Sequence, residues 1–254
     1  MEGWQWLFLL EGIPAVLLGL VVLLILPNSP YKANWLSETE RKWIKIQIEE
    51  EKTFHKGKTS SRLLEALTSG RVWFLCLIYF LLNVGGYGYE MWMPSIIKEF
   101  SGLDYTIVGL INAIPYIAAS VVMLLVGRHS DQTGERRWHV AIAAVTSAIG
   151  FVLTAYFQNP YLAMLALILA FVGLKSTVGP FWALGTASLS GTAAAGGIAF
   201  INSVGNLGGF VGPTLVGVFK DQTDNNVIAL LILGGALLLM GILVLILHDS
   251  PQKK

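Results

Sequence analysis

The stretch that says most about the fold is GRHSDQTGERR, residues 127–137. It is charged, it contains two glycines that favour a tight turn, and it separates apolar stretches at about 106–126 and 138–157. Each apolar stretch is about 20 residues long, the length that an α-helix needs to cross the hydrocarbon core of a bilayer. A membrane β-strand would instead alternate in polarity over about 10 residues. The sequence therefore predicts two transmembrane helices joined by a short charged link.

Apolar stretches of similar length recur along the rest of the chain. Trp or Tyr residues stand at the ends of several of them, as expected for aromatic rings at the level of the lipid headgroups. Together with the first two, they predict an all-α membrane protein with seven transmembrane helices. The five further stretches are about 5–26, 72–93, 161–183, 195–218 and 227–247.

The composition argues against other classes of protein. Apolar residues make up 54% and charged residues 13% of the chain, against a usual charged share of about 25%. So few charges cannot cover the surface of a soluble enzyme or keep a chain disordered, and the net charge of +1 argues against nucleic-acid binding. One cysteine, and four histidines without metal-ligand spacing, predict no disulfide framework, metal site, cofactor or catalytic set.

The distribution of positive charge predicts the orientation of the spans. Nine Lys and Arg residues lie in 27–71, three in 127–137 and two in the C-terminal tail, whereas the opposite side has only Lys98 and Lys220. Because cytoplasmic loops are enriched in Lys and Arg, the first group and the C-terminus are expected in the cytoplasm. Within 27–71, the capping box Ser37-Glu38-Thr39-Glu40 predicts the start of an amphipathic helix.

Polar side chains recur inside three of the predicted spans, where unpaired polar groups are costly. Spacings of three and four residues place each set on one helix face. Such a face either borders a cavity or makes hydrogen bonds between helices, and the pattern leaves both open. The sets are Tyr79, Asn83, Tyr87 and Glu90; Asn112, Tyr116 and Ser120; and Asn202, Asn206, Gly209 and Pro213. A fourth face predicts either close helix packing or helices that bend or slide as the cavity alternates; it consists of Gly205, Gly208, Gly209 and Gly212.

The link at 127–137 has the pattern G-x-x-x-D-x-x-G-x-[RK]-[RK], which resembles the cytoplasmic signature of the major facilitator superfamily. The resemblance implies a latch between two helices, although Glu135 stands where that family more often has Arg or Lys. The alternative is a positively charged anchor without a conformational role. The residues of the candidate latch are Gly127, Asp131, Gly134, Arg136 and Arg137.

Stretches 3–19, 69–75, 127–141 and 179–213 resemble the anion:cation symporter family within that superfamily, apart from Gly185, where proline is common. That family includes bacterial carriers for tartrate, sugar acids and aromatic acids. The resemblance implies the major facilitator fold, with the first span as family helix 6 and the other six as helices 7–12. Helices 1–5, which hold the family's main proton-coupling acidic residues, would then belong to a missing N-terminal half.

The same resemblance favours Trp182 and Asn202 as substrate contacts. Lys175 is seven residues before Trp182, so both side chains project from nearly the same helix face. We expect its ammonium to attract a substrate carboxylate or to pair with a carboxylate from the missing half; snorkelling or a bond to a carbonyl is the alternative. The candidate substrate-binding residues are Asn202, Trp182, Lys175, Asn83, Tyr79, Tyr87, Asn206, Asn112 and Tyr116.

These patterns predict secondary active transport of a small organic anion with protons, in a bacterial-type inner membrane, by a chain truncated at its N-terminus. The expected parts are a transmembrane helix at 1–26, a cytoplasmic linker at 27–71, a six-helix bundle at 72–247 and a cytoplasmic tail at 248–254. The expected partners are the anion, protons, the lipid bilayer and the missing N-terminal half. The alternative is a half-carrier that has no transport of its own and acts as a membrane interaction or regulatory subunit.

Overall fold

Helices make up most of the part of the chain that the computed structural model describes, residues 2–33, 35–55, 68–187, 192–223 and 226–247. The predicted tail at 248–254, and residues 56–67 of the predicted linker, lie outside these ranges. Within these ranges, one 3-10 turn occurs at Pro30–Lys32. The α-helices are α1 (Gly3–Ile25), α2 (Glu38–His55), α3 (Gly70–Ser101), α4 (Tyr105–Thr133), α5 (Arg137–Tyr156), α6 (Pro160–Ala187), α7 (Thr192–Asn206), α8 (Gly208–Thr223) and α9 (Val227–Ile246).

Six helices of the described ranges are long and apolar enough to cross a membrane: α1, α3, α4, α5, α6 and α9. The predicted span at 195–218 differs, because it is divided between α7 and α8, which have 15 and 16 residues and meet at Leu207. The described residues therefore do not form seven continuous spans. A seventh crossing made by α7 and α8 together stays a prediction.

The chain divides into two compact units, Met1–Lys58 and Thr59–Lys254. In the first unit, α1 is long and apolar enough to cross a membrane and buries none of its residues. At the start of α2 the Ser37 amide donates to Glu40 Oε2 over 2.8 Å, and the Glu40 amide donates to Ser37 Oγ over 3.3 Å. These bonds confirm the predicted capping box, and the Ser37 hydroxyl and amide lower the pKa of Glu40.

In the second unit α3 is the central helix, packed against α4, α6, α7, α8 and α9, while α5 packs on α6 and α9. An aromatic cluster holds α3 to its neighbours: the Tyr89 ring stacks on Phe171 with centroids 4.9 Å apart and meets Phe151 edge-on at 5.7 Å. The Tyr89 hydroxyl donates to the Leu167 carbonyl over 3.0 Å, which satisfies a buried polar group. This cluster fixes the position of α3 relative to α6, the two helices that border the candidate site.

The glycine face of α8 lies directly on the backbone of α3. A Cβ atom added at Gly208 would stand 2.4 Å from the Phe80 carbonyl oxygen, and one added at Gly212 would stand 2.2 Å from the Val84 carbonyl oxygen. Both separations are far shorter than a van der Waals contact, so only glycine permits this approach. The predicted close packing is confirmed, and its partner is α3.

Candidate functional site

An open cleft of about 210 Å³ lies between α3 and α6. Because α3 is a continuous helix from Gly70 to Ser101, the four-residue spacing of Tyr79, Asn83 and Tyr87 places these side chains on one face, as predicted. The α6 side is largely apolar apart from one lysine. The lining residues are Tyr79, Leu82, Asn83, Gly86, Tyr87, Glu90, Leu174, Lys175 and Val178.

An ion pair crosses this cleft. The Lys175 ammonium donates to Oε1 of Glu90, and it also lies 5.1 Å from the centroid of the Phe171 ring, a cation–π distance. The two charged side chains are 33% and 27% exposed, so both are partly open to the cleft. The sequence placed Glu90 on the correct helix face but predicted no partner for it, and the structure supplies the carboxylate for Lys175 from the same half of the fold.

Three amide side chains form a hydrogen-bonded row beside the cleft. Asn83 Nδ2 donates to Asn206 Oδ1 over 3.5 Å, and Asn206 Nδ2 donates to Asn202 Oδ1 over 2.8 Å. Asn83 is buried, whereas Asn202 and Asn206 are exposed. The row joins α3 to α7, so Asn83 does make the interhelical bond that the sequence left open. The two exposed amides present donors and acceptors that suit hydroxyl and carboxylate groups.

Aromatic side chains border the other end of the cleft. The Tyr79 ring stacks on Phe181 with centroids 5.4 Å apart, and it meets Trp182 edge-on at 4.9 Å. Tyr79 therefore connects Trp182 to the cleft that Lys175 lines. The structure therefore brings three candidate substrate-binding residues close together: Tyr79 of α3, and Lys175 and Trp182 of α6.

The two candidates on α4 are not brought into the cleft. The Tyr116 ring packs edge-on against Phe171 at 4.6 Å and does not line the cleft. Asn112 has a buried carboxamide oxygen without a hydrogen-bond partner among the described residues. Ser120 is satisfied within α4, because its hydroxyl donates to the Tyr116 carbonyl over 2.8 Å. A substrate contact by Asn112 or Tyr116 stays a prediction.

The charged link is shorter than predicted, because α4 continues through Gly127 to Thr133. Gly127 is thus a helical residue, and its predicted place in a tight turn is wrong. The turn is made by Gly134, whose φ of 68° lies in the left-handed region that glycine adopts at no steric cost. The helix extends because residues 127–133 satisfy their backbone groups in α4 before the chain reaches that glycine.

The remaining link residues tie three helices together. Asp131 Oδ1 lies 3.2 Å from Arg136 Nη2, and the Ser130 hydroxyl donates to the Glu135 carbonyl over 2.8 Å. The Arg137 guanidinium donates to the carbonyl of Leu245 in the last turn of α9. The link therefore bonds to the ends of α4, α5 and α9. This geometry suits a latch, and its change during transport stays a prediction.

Glu135 has a structural role that the sequence did not reveal. Its carboxylate accepts from the Trp138 amide over 3.0 Å, at the start of α5, and lies 3.1 Å from Nδ1 of His139. Nε2 of His139 is in turn 2.7 Å from Nδ1 of His129. Partial burial acts to raise the pKa of Glu135, but the bonds from Trp138 and His139 outweigh it and lower that pKa. Within the described ranges, no group of His, Cys, Asp or Glu side chains is arranged to bind a metal ion.

Replacing Glu135 with glutamine is expected to lower the free energy of unfolding by about 1 kcal/mol at neutral pH, the usual value of a helix cap. Because the folded-state pKa of Glu135 is lowered, its contribution is present above the unfolded pKa of about 4.3. It is lost as the pH falls through the lowered folded value. Thermal unfolding of the purified protein in detergent, recorded against pH, measures this difference.

The matched control for that prediction is Asp104→Asn. Asp104 also precedes a helix, α4, but it makes no side-chain cap hydrogen bond there. We expect it to leave the unfolding temperature unchanged. A Glu135→Gln variant as stable as the wild type at neutral pH contradicts the capping role.

The chain is similar to known transport proteins. Residues 2–213 match the family model of the Major Facilitator Superfamily. The chain is 45% identical over 253 residues to a "Putative tartrate transporter" of Agrobacterium vitis, with 100% of this chain and 58% of that protein covered. It is 36% identical over 254 residues to a "Quinolone resistance transporter" of Acinetobacter baumannii, again with 100% and 58% covered. The chain therefore spans less than two thirds of the length of these curated relatives.

The fold is also similar to that of a solved structure, the proton:xylose symporter XylE bound to 6-bromo-6-deoxy-D-glucose. The TM-score is 0.72 at 22% sequence identity, and 95% of this chain and 55% of that chain are covered. At this identity the likeness shows the fold alone. The family match over residues 2–213 confirms the superfamily that the sequence pattern of the link at 127–137 predicted. The chain belongs to the major facilitator superfamily, a family of integral membrane transporters and not of enzymes.

Proposed function

We propose that the intact carrier containing this chain moves a small organic anion across a bacterial inner membrane by proton-coupled symport. The observation that carries the proposal is the Lys175 ammonium in a polar cleft midway along an apolar helix. A lysine at the centre of a membrane span costs roughly 2.5–3.5 kcal/mol on insertion scales, so such a residue indicates function. The likeness to a tartrate transporter supports a tartrate-like, sugar-acid or aromatic carboxylate substrate.

The residues around the cleft divide the recognition of such a substrate between charge, hydrogen bonding and packing. Lys175 attracts the carboxylate, and the amides of Asn83, Asn202 and Asn206 bond its hydroxyl groups. The rings of Tyr79, Tyr87 and Trp182 cover the carbon skeleton. Substrate sites in secondary transporters lie near the bilayer midplane, between the two repeats. We therefore place the substrate between this bundle and the N-terminal half of the intact carrier.

Alternating access follows from rocking of the two halves about that substrate. In this proposal residues 27–71, 127–137 and 248–254 are cytoplasmic, and α7 and α8 together complete a seventh crossing. Residues 72–247 move as one six-helix bundle. The contacts Asp131–Arg136 and Arg137–Leu245 latch the cytoplasmic ends of α4, α5 and α9 together within this bundle.

Uptake by the intact carrier tests this function. The intact carrier is the product of the whole open reading frame, which is this chain together with any residues that are encoded in frame before Met1. In proteoliposomes that are acidic outside, we expect labelled L-tartrate, D-galactonate or 4-hydroxybenzoate to accumulate and a proton uncoupler to abolish the accumulation. The reason is that a proton gradient drives an anion uphill only when the two move together.

Protein-free vesicles and labelled xylose, an uncharged sugar, are the controls. Xylose is not expected to accumulate, and uptake by the carrier is the excess over protein-free vesicles, which 4-hydroxybenzoic acid enters as the neutral acid. If a carboxylate accumulates equally with and without the uncoupler, proton coupling is rejected. Uptake of none of the three carboxylates rejects the proposal and favours the half-carrier without transport of its own.

A further inference from the structure

The ion pair in the cleft joins two isolated charges. Glu90 is the one charged residue of the apolar stretch 72–93, and Lys175 is the one charged residue of the stretch 161–183. Either charge alone in a low-dielectric environment is costly, and pairing offsets much of that cost. A process that moves Glu90 away from Lys175 must therefore supply another negative charge to the ammonium.

We propose that Glu90 is the proton-binding group of this half, and that Glu90 and the substrate carboxylate alternate as partners of the Lys175 ammonium. This inference rests on the proposed function. The structure places Glu90 Oε1 against the Lys175 ammonium, and this ion pair represents the empty carrier in the proposal. During loading, a proton from external water adds to the Glu90 carboxylate while the substrate carboxylate takes its place at Lys175. On release, the proton leaves to internal water and the ion pair forms again.

Charge balance explains why the two ligands bind together. The empty site holds one cation and one anion, and the site loaded with a monocarboxylate such as D-galactonate holds Lys175, the substrate carboxylate and neutral Glu90, so both states are neutral. The anion without the proton places two carboxylates at one ammonium, which disfavours the ionisation of one of them. The proton without the anion leaves Lys175 uncompensated inside the membrane. Only the empty and fully loaded states avoid an unpaired charge.

The surroundings of Glu90 leave Lys175 as its charged partner. From the helices packed on α3, Tyr116 of α4 is close enough to Glu90 to interact with its charge, as is the neighbouring Tyr89 on α3. The Tyr89 hydroxyl is already bonded to Leu167. Helices α7 and α9 contain no Asp, Glu, Lys, Arg or His. In α8, Lys220 is bonded to Glu99 at the far end of α3, at 2.9 Å.

The cleft gives an incoming anion access to this exchange. Both members of the pair line the open space between α3 and α6, and neither is fully covered by protein. Asn83 and Tyr87 line the same space, so hydrogen-bond donors stand beside the ammonium. A carboxylate that reaches Lys175 therefore meets donors for its second oxygen or for a hydroxyl on the adjoining carbon.

The test is Glu90→Gln in the intact carrier in proteoliposomes, with labelled L-tartrate and D-galactonate as probes. For the wild type we expect the affinity for the transported probe to fall about tenfold for each unit by which the pH is raised, over the range in which Glu90 must take up a proton on binding. Glu90→Gln is expected to lose this pH dependence and the uphill accumulation driven by a proton gradient. It should retain exchange of labelled for unlabelled anion, which needs no net proton movement.

The matched control is Glu99→Gln, which breaks the other Glu–Lys pair of α3, Glu99–Lys220, outside the cleft. It is expected to keep the pH dependence and the accumulation of the wild type. Glu90→Gln that still accumulates anion against its gradient overturns the inference while the proposed function stands. A wild type that accumulates neither tartrate nor galactonate overturns this inference, and one that also fails with 4-hydroxybenzoate overturns the proposed function too.

If Glu90→Gln does not reach the membrane in a folded form, a second variant tests the same inference. Glu90→Asp keeps a carboxyl group but withdraws it from Lys175 by one methylene. We expect coupled accumulation to persist and the pH midpoint of anion affinity to shift from that of the wild type. An unshifted midpoint shows that another group binds the proton, and overturns the inference.

Discussion

Replacing Lys175 with glutamine is expected to reduce the affinity of the intact carrier for its organic anion by about 10- to 100-fold. A hydrogen bond to a charged group contributes about 1.5–3 kcal/mol, and each 1.4 kcal/mol is a tenfold change in binding. The amide of glutamine keeps a donor but loses the charge that attracts the carboxylate. Equilibrium binding of labelled L-tartrate or D-galactonate to the purified carrier measures the effect.

Two further variants separate loss of charge from loss of fold. The double variant Glu90→Gln/Lys175→Gln removes both charges, so no isolated charge remains in the cleft; we expect it to fold and still to bind weakly. Lys220→Gln removes a lysine that pairs with Glu99 outside the cleft and is expected to bind like the wild type. If Lys175→Gln binds as tightly as the wild type, Lys175 does not contact the substrate.

The largest expected loss of stability follows from Gly212→Ala. The added Cβ would lie 2.2 Å from the Val84 carbonyl oxygen, and a backbone atom in the centre of α3 cannot swing aside as a side chain can. We expect the free energy of unfolding to fall by about 3 kcal/mol, the upper end of the range for overpacked cores. The measurement is the fraction of monodisperse protein that remains in detergent after a heating series.

Gly235→Ala is the matched control, because Gly235 also lies within a helix, α9, yet a Cβ there meets no atom within 4 Å. Alanine has a higher helix propensity than glycine, so this variant is expected to be at least as stable as the wild type. Equal heat resistance of Gly212→Ala and Gly235→Ala is the outcome that rejects the close packing of α8 on α3.

Much of the architecture could be predicted from local signals. Apolar runs of about 20 residues predicted the six long helices, because length and hydropathy suffice to identify such segments. Four-residue spacing placed Tyr79, Asn83 and Tyr87 on one face, since helical periodicity is a local property. The capping box at Ser37 and Glu40 was readable for the same reason.

Features that depend on tertiary contacts were not predicted. The break at Leu207 lies inside an apolar run, and it occurs where α8 packs on the α3 backbone through Gly208 and Gly212. The pairing of Glu90 with Lys175 joins residues 85 positions apart. A signal for it did exist, because two lone charges of opposite sign in separate apolar spans each need a partner. The missing information was which helices are neighbours.

The link at 127–137 combines features that local sequence predicts with features that depend on tertiary contacts. Its glycine and arginine pattern indicated the fold, and the turn at Gly134 follows from local conformational preference. The bond from Arg137 to Leu245, by contrast, depends on the placement of α9. Glu135 caps α5 through the Trp138 amide, and an acid just before a helix was the available signal.

The central claim is that a carboxylate and a proton enter through this cleft together. The most direct test is the internal pH of proteoliposomes that contain the intact carrier, recorded with an entrapped dye. L-tartrate or D-galactonate is added outside, with no initial pH difference across the membrane. We predict that the lumen acidifies as the anion enters and that protein-free vesicles show no change. Entry of the labelled anion at constant internal pH would contradict the claim.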